Sequence, residues 1–120
     1  LFADADHATE KGRHSTSGYL LRYHGSVIYW VSRLQSVISE SSAEAELRSL
    51  AEGMRDALFL ERMQEDLFNI SGLPIIGYED NAATYQQCIE HVSNSRLKHV
   101  ETMCLKTTEY TKQGTYLILN

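Results

Sequence analysis

Five acidic side chains stand where this sequence could bring carboxylates together: Asp4 and Asp6 near the start, Glu44 and Glu46 in the middle, and Asp80 further on. Asp4 and Asp6 are two apart, so they point to one face if the strand that opens the chain extends that far. Glu44 and Glu46 sit in Ser41-Ser42-Ala43-Glu44-Ala45-Glu46-Leu47 at the start of a helical pattern. Only one of them can face inward. At 100° per residue Glu44 shares a stripe with Arg48, Ala51 and Arg55, and Glu44 to Arg48 is the favourable order for an i to i+4 ion pair, which predicts a solvated Glu44. Glu46 shares its stripe with Ser42, Ser49, Leu50, Gly53 and Ala57, a track of small residues that lets a helix lie close to a neighbour. A carboxylate on that track requires a cationic partner, and a metal ion would serve. If the strands carrying Asp4 and Asp80 are neighbours, both converge beneath Glu46. Three such groups repel one another unless divalent cations neutralise them, and hard oxygen ligands favour Mg²⁺ or Mn²⁺ over zinc. The chemistry this would support is two-metal phosphodiester hydrolysis.

The elements that must position these groups follow from the pattern of the chain. Leu1 to Asp4 is a strand-like run, and Gly18 to Tyr23 and Ser26 to Val31 are β-rich runs joined by His24-Gly25, a two-residue hairpin connection. Ser39 to Ser42 supply cap chemistry for a long helix with Leu47, Leu50, Ala51, Met54, Leu58, Met63 and Leu67 on its apolar side, ending at Asn69 to Gly72. Pro74 to Tyr78 reads as a buried strand ended by Asp80, and Asp80-Asn81 cap a helix from Ala82 to His91. A polar, basic loop from Ser93 to Lys98 leads to a helix from His99 to Lys112, broken by Gly114, and Tyr116 to Asn120 is a last strand. The order β-β-β-α-β-α-α-β predicts an α/β fold with a mixed five-stranded sheet and helices packed on it. Met54, Met63, Tyr29 and Trp30 are expected to pack in the core or on the hairpin.

At 120 residues the chain reads as a single domain, residues 1–120, with enough apolar content for a core. Strand-like runs at both ends predict a segment of a larger polypeptide. A formal charge of −5 argues against binding nucleic acid through net charge alone and requires a local basic patch or a covalent neighbour. The two cysteines make no disulfide framework, and no apolar stretch approaches the ~20 residues of a membrane span, so an intracellular location and no membrane partner are expected. Cys88, His91, His99 and Cys104 lack a matching zinc-ligand spacing.

Five strings resemble a known family in order and approximate spacing: Asp4-Ala5-Asp6, Ser15 to Tyr19, Ser41 to Leu47, Tyr78 to Asn81, and Ser95 to Val100. They are similar to the ribonuclease H domain of copia-type LTR retrotransposon polyproteins, and the likeness covers nearly the whole chain. The resemblance implies a ribonuclease H-like fold and an endoribonuclease that cuts the RNA strand of RNA–DNA hybrids during reverse transcription. It implies two Mg²⁺ or Mn²⁺ ions on catalytic Asp4, Glu46 and Asp80, and an adjoining reverse transcriptase domain as a partner. Asn81 beside the site is expected to read the minor groove of the hybrid, while Arg96, Lys98 and His99 contact phosphate. Asp80-Asn81 also fit plain helix capping, and both roles can hold at once.

Two departures accompany the likeness: His7 stands where the family usually has tryptophan, and Lys98-His99-Val100-Glu101 where it has Lys-His-Ile-Asp. Family members also continue into a C-terminal helix bearing a fourth catalytic aspartate, which this sequence does not include. The alternative is a non-catalytic or domesticated module of the same fold that binds nucleic acid or protein. If the fourth carboxylate belongs to the working site, the 120-residue chain cleaves hybrid about 10²-fold more slowly than a version extended through the next helix of its parent. Equal rates at equal concentration with Mg²⁺ would overturn that expectation.

Overall fold

The computed structural model describes residues 1–8, 12–90 and 98–119. Its elements are β1 (Phe2–Asp6), β2 (Thr16–Tyr23), β3 (Ser26–Leu34), α1 (Ser42–Phe68), β4 (Ile75–Tyr78), α2 (Ala82–Glu90), α3 (Lys98–Lys112) and β5 (Tyr116–Leu119). They form one five-stranded sheet in the order β3-β2-β1-β4-β5. The first three strands run antiparallel, whereas β4 lies parallel to both β1 and β5. This is the mixed sheet that the order of elements predicts.

Local chemistry sets the boundaries. His24 and Gly25 both have positive φ, 46° and 84°, the backbone that matches a tight connection to the twist of β2 and β3. Ser41 opens α1 by accepting the Glu44 N–H at 3.1 Å, and Asn69 closes it in a left-handed conformation, donating its N–H to the Glu65 carbonyl. β1 reaches across the chain to β4: the Leu1 amino group donates to the Ile76 carbonyl at 2.7 Å, and the Tyr78 N–H to the Leu1 carbonyl at 2.9 Å.

The core lies between α1 and one face of the sheet. Leu47, Leu50 and Met54 pack against Leu1, Tyr19, Leu21, Tyr116 and Ile118, with Cys88 of α2 completing the cluster. Each fully buried leucine contributes about 1.5–3 kcal/mol through loss of apolar surface from water. Gly53 and Gly77 allow the close approach: a Cβ on Gly53 would stand 2.7 Å from Leu1 Cδ1 and 3.1 Å from the Tyr19 ring, and one on Gly77 would meet Met54 Cε. On the opposite face, Phe2, Ile76, Tyr78 and Leu117 are 39–44% exposed, and the Phe2 and Tyr78 rings stack 4.6 Å apart.

Three expectations about packing need correction. Met63 is exposed and Leu67 more so, because α1 has 27 residues and is about 40 Å long, far longer than the four- and five-residue strands beside it, so its last turns run past the sheet. Trp30 is 73% exposed, because it pairs with Leu20 on the face of the sheet turned away from α1, whereas Tyr29 packs its ring beside Tyr19 across the hairpin, as expected. Met54 is in the core as expected. Among the described residues no helix is long and apolar enough to cross a membrane.

The closeness of α1 to β2 makes Gly53→Ala a test of the packing. Alanine normally favours a helix interior by about 1 kcal/mol over glycine. Here the added methyl meets a rigid ring, and overpacking of about 1–3 kcal/mol outweighs the gain. A urea melt of Gly53→Ala is expected to show a lower midpoint than the parent, and a higher one would refute the contact.

Candidate metal centre

Three elements bring the carboxylates to one end of the sheet. Asp4 lies in β1 opposite Gly18 of β2. Asp80 lies two residues beyond the end of β4, not at the strand end itself, in the link to α2. Because β1 and β4 are parallel neighbours, the chain leaves both strands at the same end of the sheet. Glu46 comes from the first turns of α1, which are fixed over that end. The Ser49 hydroxyl lies 2.8 Å from the Asp4 carbonyl and 2.9 Å from the Gly18 carbonyl, donating to one of them at a time.

One oxygen from each of Asp4, Glu46 and Asp80 falls within 4.8 Å of the others. Glu46 is buried while both aspartates are exposed, so the group is dry on the helix side and open to solvent on the other. Burial pushes the Glu46 carboxyl up to about 7, helped by the charges of Glu79, Asp4 and Asp80 and opposed by the Ala5 amide, which hydrogen-bonds it. Its Oε2 is buried with no hydrogen-bond partner among the described residues. A hard, all-carboxylate donor set with an orphaned inward oxygen fits a divalent cation such as Mg²⁺ or Mn²⁺.

The remaining sequence candidates fall as follows. Asp6 is exposed at the end of β1 and is not in the cluster. Glu44 makes its ion pair with Arg48 at 2.8 Å, yet it is only 4% exposed, against the expectation of a solvated face. Its carboxylate turns back along the helix and accepts the Glu40 N–H at 2.9 Å, which draws it under the chain that enters α1. Asn81 gives its Oδ1 to the cap of α2, accepting from the N–H groups of Ala83 and Thr84 at 3.0 and 3.1 Å. Arg96 and His91 lie outside the described residues. Lys98, expected to end the loop, instead begins α3 with His99. Cys88 is buried in the core.

Sequence reasoning missed Glu79. It is 1% exposed, and burial first, then the charges of Asp80 and Asp4, raise its carboxyl to about 7 against the hydrogen bond from the Asn81 N–H. The alternation of β4 carried the signal, because Gly77 faces α1 and Glu79 shares its parity.

No protein-family model matches the chain. Over 101 residues, 82% of its length, it is 33% identical to the retrovirus-related Pol polyprotein from transposon RE1 of Arabidopsis thaliana, of which it spans only 7%. Among solved structures, the N-terminal RNase H domain of rv2228c from Mycobacterium tuberculosis superposes with a TM-score of 0.65 at 13% identity, covering 99% of this chain and 78% of that one. LC11-RNase H1, isolated from compost, gives 0.66 at 12% identity, covering 99% and 80%. The fold is therefore that of ribonuclease H domains. By sequence, the chain is a homologue of retrovirus-related Pol polyproteins of copia-type transposons, corresponding to a short stretch of their length.

The raised carboxyls give the metal-free protein a specific pH dependence. A carboxyl with a folded-state pKa above its unfolded value of 4.5 contributes stability that is complete below about pH 4.5 and lost as pH rises through about 7. In chelator the chain should lose on the order of 2 kcal/mol between pH 5 and pH 8, and Glu46→Gln should flatten that slope. A metal-free melting temperature that rises across this interval would contradict the arrangement.

Proposed function

We propose that this domain is a divalent-metal-dependent endoribonuclease that hydrolyses the RNA strand of RNA–DNA hybrids during reverse transcription of a retrotransposon, inside the cell. The observation that carries the reading is the meeting of Asp4, Glu46 and Asp80 within 4.8 Å at the open end of a ribonuclease H fold. These three side chains would hold two Mg²⁺ or Mn²⁺ ions. When bound, such ions activate a water for in-line attack and stabilise the leaving oxygen, which yields a 5′-phosphate and a 3′-hydroxyl.

The chain's own residues supply position and selectivity. Asp4 is fixed by the ladder of β1, and Glu46 by the Ala5 amide and by the Ser49 hydroxyl one turn further along α1. The exposure of Asp4 and Asp80 leaves the scissile phosphate a path to the site. Asn81, with Oδ1 engaged in the helix cap, has its Nδ2 donors for the sugar and base edges of the minor groove, where the 2′-hydroxyl marks the RNA strand. Arg96 and Lys98 supply cations for phosphate, and His99 a further polar contact. With a net charge of −5, hybrid affinity draws on the adjoining reverse transcriptase domain of the parent polyprotein.

The test is cleavage of a hybrid with labelled RNA, at pH 8 with Mg²⁺ or Mn²⁺. Cutting that stops in chelator, and falls at least about 10²-fold in Asp4→Asn with the fold intact by circular dichroism, supports the reading. Cleavage indifferent to both changes would refute it, and a folded but inactive protein, extended or not, would favour a non-catalytic module.

A further inference from the structure

Glu79 has no place in the chemistry described so far, and its surroundings call for one. It is the acidic residue next to Asp80, but the two point apart: Asp80 is exposed at the open side of the cluster and Glu79 is 1% exposed. Its Oε1 accepts the Asn81 N–H at 3.0 Å, which fixes the turn that presents Asp80. Its Oε2 is fully buried and has no hydrogen-bond partner among the described residues. A buried acceptor left in this state carries its full desolvation penalty, larger still when it is charged.

No donor among the described residues hydrogen-bonds Oε2. Glu79 lies close enough to Glu46 for its charge to be the strongest acting on that residue, and it feels Asp80 and Asp4 in turn. When ionised, all of these are acceptors without a proton to give. A hydrated divalent cation would bring both missing components, positive charge and O–H donors, because Mg²⁺ sheds its waters reluctantly and keeps several of them when bound by carboxylates. Glu79 stands outside the group of three oxygens that meet within 4.8 Å, which suits an acceptor for an ion-held water better than a direct ligand.

We propose that Glu79 is a positioning residue of the metal centre, its Oε2 accepting a hydrogen bond from a water held by the ion at Asp4, Glu46 and Asp80. The inference rests on the metal-binding reading above and adds a fourth carboxylate, from the same turn as Asp80, to the groups that determine how tightly and in what orientation the ion is held. Outer partners of this type typically change metal affinity 10–100-fold when removed.

The test is Mn²⁺ binding to the folded 120-residue chain at pH 8, followed by electron paramagnetic resonance of free Mn²⁺ and by water-proton relaxation, which reports waters on the bound ion. Glu79→Gln keeps the size of the side chain, and Glu79→Leu fills the same space without polar atoms, so one folded variant suffices. The expected result is about tenfold weaker Mn²⁺ binding and altered relaxation of the bound ion in either variant; Glu79→Gln, whose amide oxygen still accepts the Asn81 N–H, keeps a metal-free melting temperature no lower than the parent's, whereas Glu79→Leu gives up that bond. Asp4→Asn abolishes binding. A Kd within twofold of the parent in a folded Glu79 variant, with Asp4→Asn still inactive in binding, overturns the role of Glu79 and leaves the metal site standing. A parent that binds no Mn²⁺ overturns both.

Discussion

Four carboxylates are gathered at one end of this sheet against their mutual repulsion, and the seating of α1 on the sheet is what holds them there. Glu46 does not choose its neighbours. It is carried into place by Leu47, Leu50 and Met54, which are buried on the same helix, and by Ser49, which touches the backbone of both β1 and β2. Burial of three such side chains contributes several kcal/mol, at about 1.5–3 kcal/mol each, and that is the scale of the cost of desolvating a carboxylate beside others. Stability made in the core is thus converted into an arrangement that would be unfavourable alone. A cation is the natural counterpart of that arrangement.

The same seating divides the labour of the site. Strand residues give it rigidity: Asp4 is paired with Gly18 of β2, and its strand is anchored to β4 two residues earlier, at Phe2 and Tyr78. The link between β4 and α2 gives it a shaped turn, in which Glu79 and Asn81 bond to each other and Asn81 caps the next helix. One short segment, residues 79–81, therefore carries a buried acceptor, an exposed carboxylate of the cluster and a helix cap in succession. The cap uses Asn81 Oδ1, and Asp80 takes no part in it.

Much of this was legible in the residues. The hairpin at His24-Gly25, the caps of α1 and the strand-helix alternation gave the order of the elements, and the helical wheel separated Glu46 from Glu44. What escaped notice had physical causes. The wheel assigns a face but not its depth, so it placed Glu44 outward without seeing that the chain before α1 folds over it. The mismatch between a 27-residue helix and strands of four or five residues is written in the sequence, but the exposure of Met63 and Leu67 depends on where the helix sits along the sheet. Glu79 was masked by its neighbour: with Asp80 taken as the candidate ligand, the other acidic residue of the Tyr78 to Asn81 string was given no role of its own. Trp30 reads as a core or hairpin residue by type, and only its register opposite Leu20, on the face away from α1, explains its exposure.

The pairing of β1 with β4 has a consequence for how the molecule acquires its site. The contact between Leu1 and Ile76 closes a loop of 75 residues, and the hairpin of β2 and β3, together with α1, lies wholly within it. Local elements of this kind form early, whereas a parallel pairing between distant strands must first overcome loop-closure entropy. Asp4 and Glu46 can meet as soon as α1 docks on β1 and β2, but Asp80 arrives only when β4 does. The carboxylate cluster is therefore completed late in folding, after the core that holds it has begun to form, and a growing chain emerging from the ribosome carries half of its charge cluster for the whole interval before the second half is made.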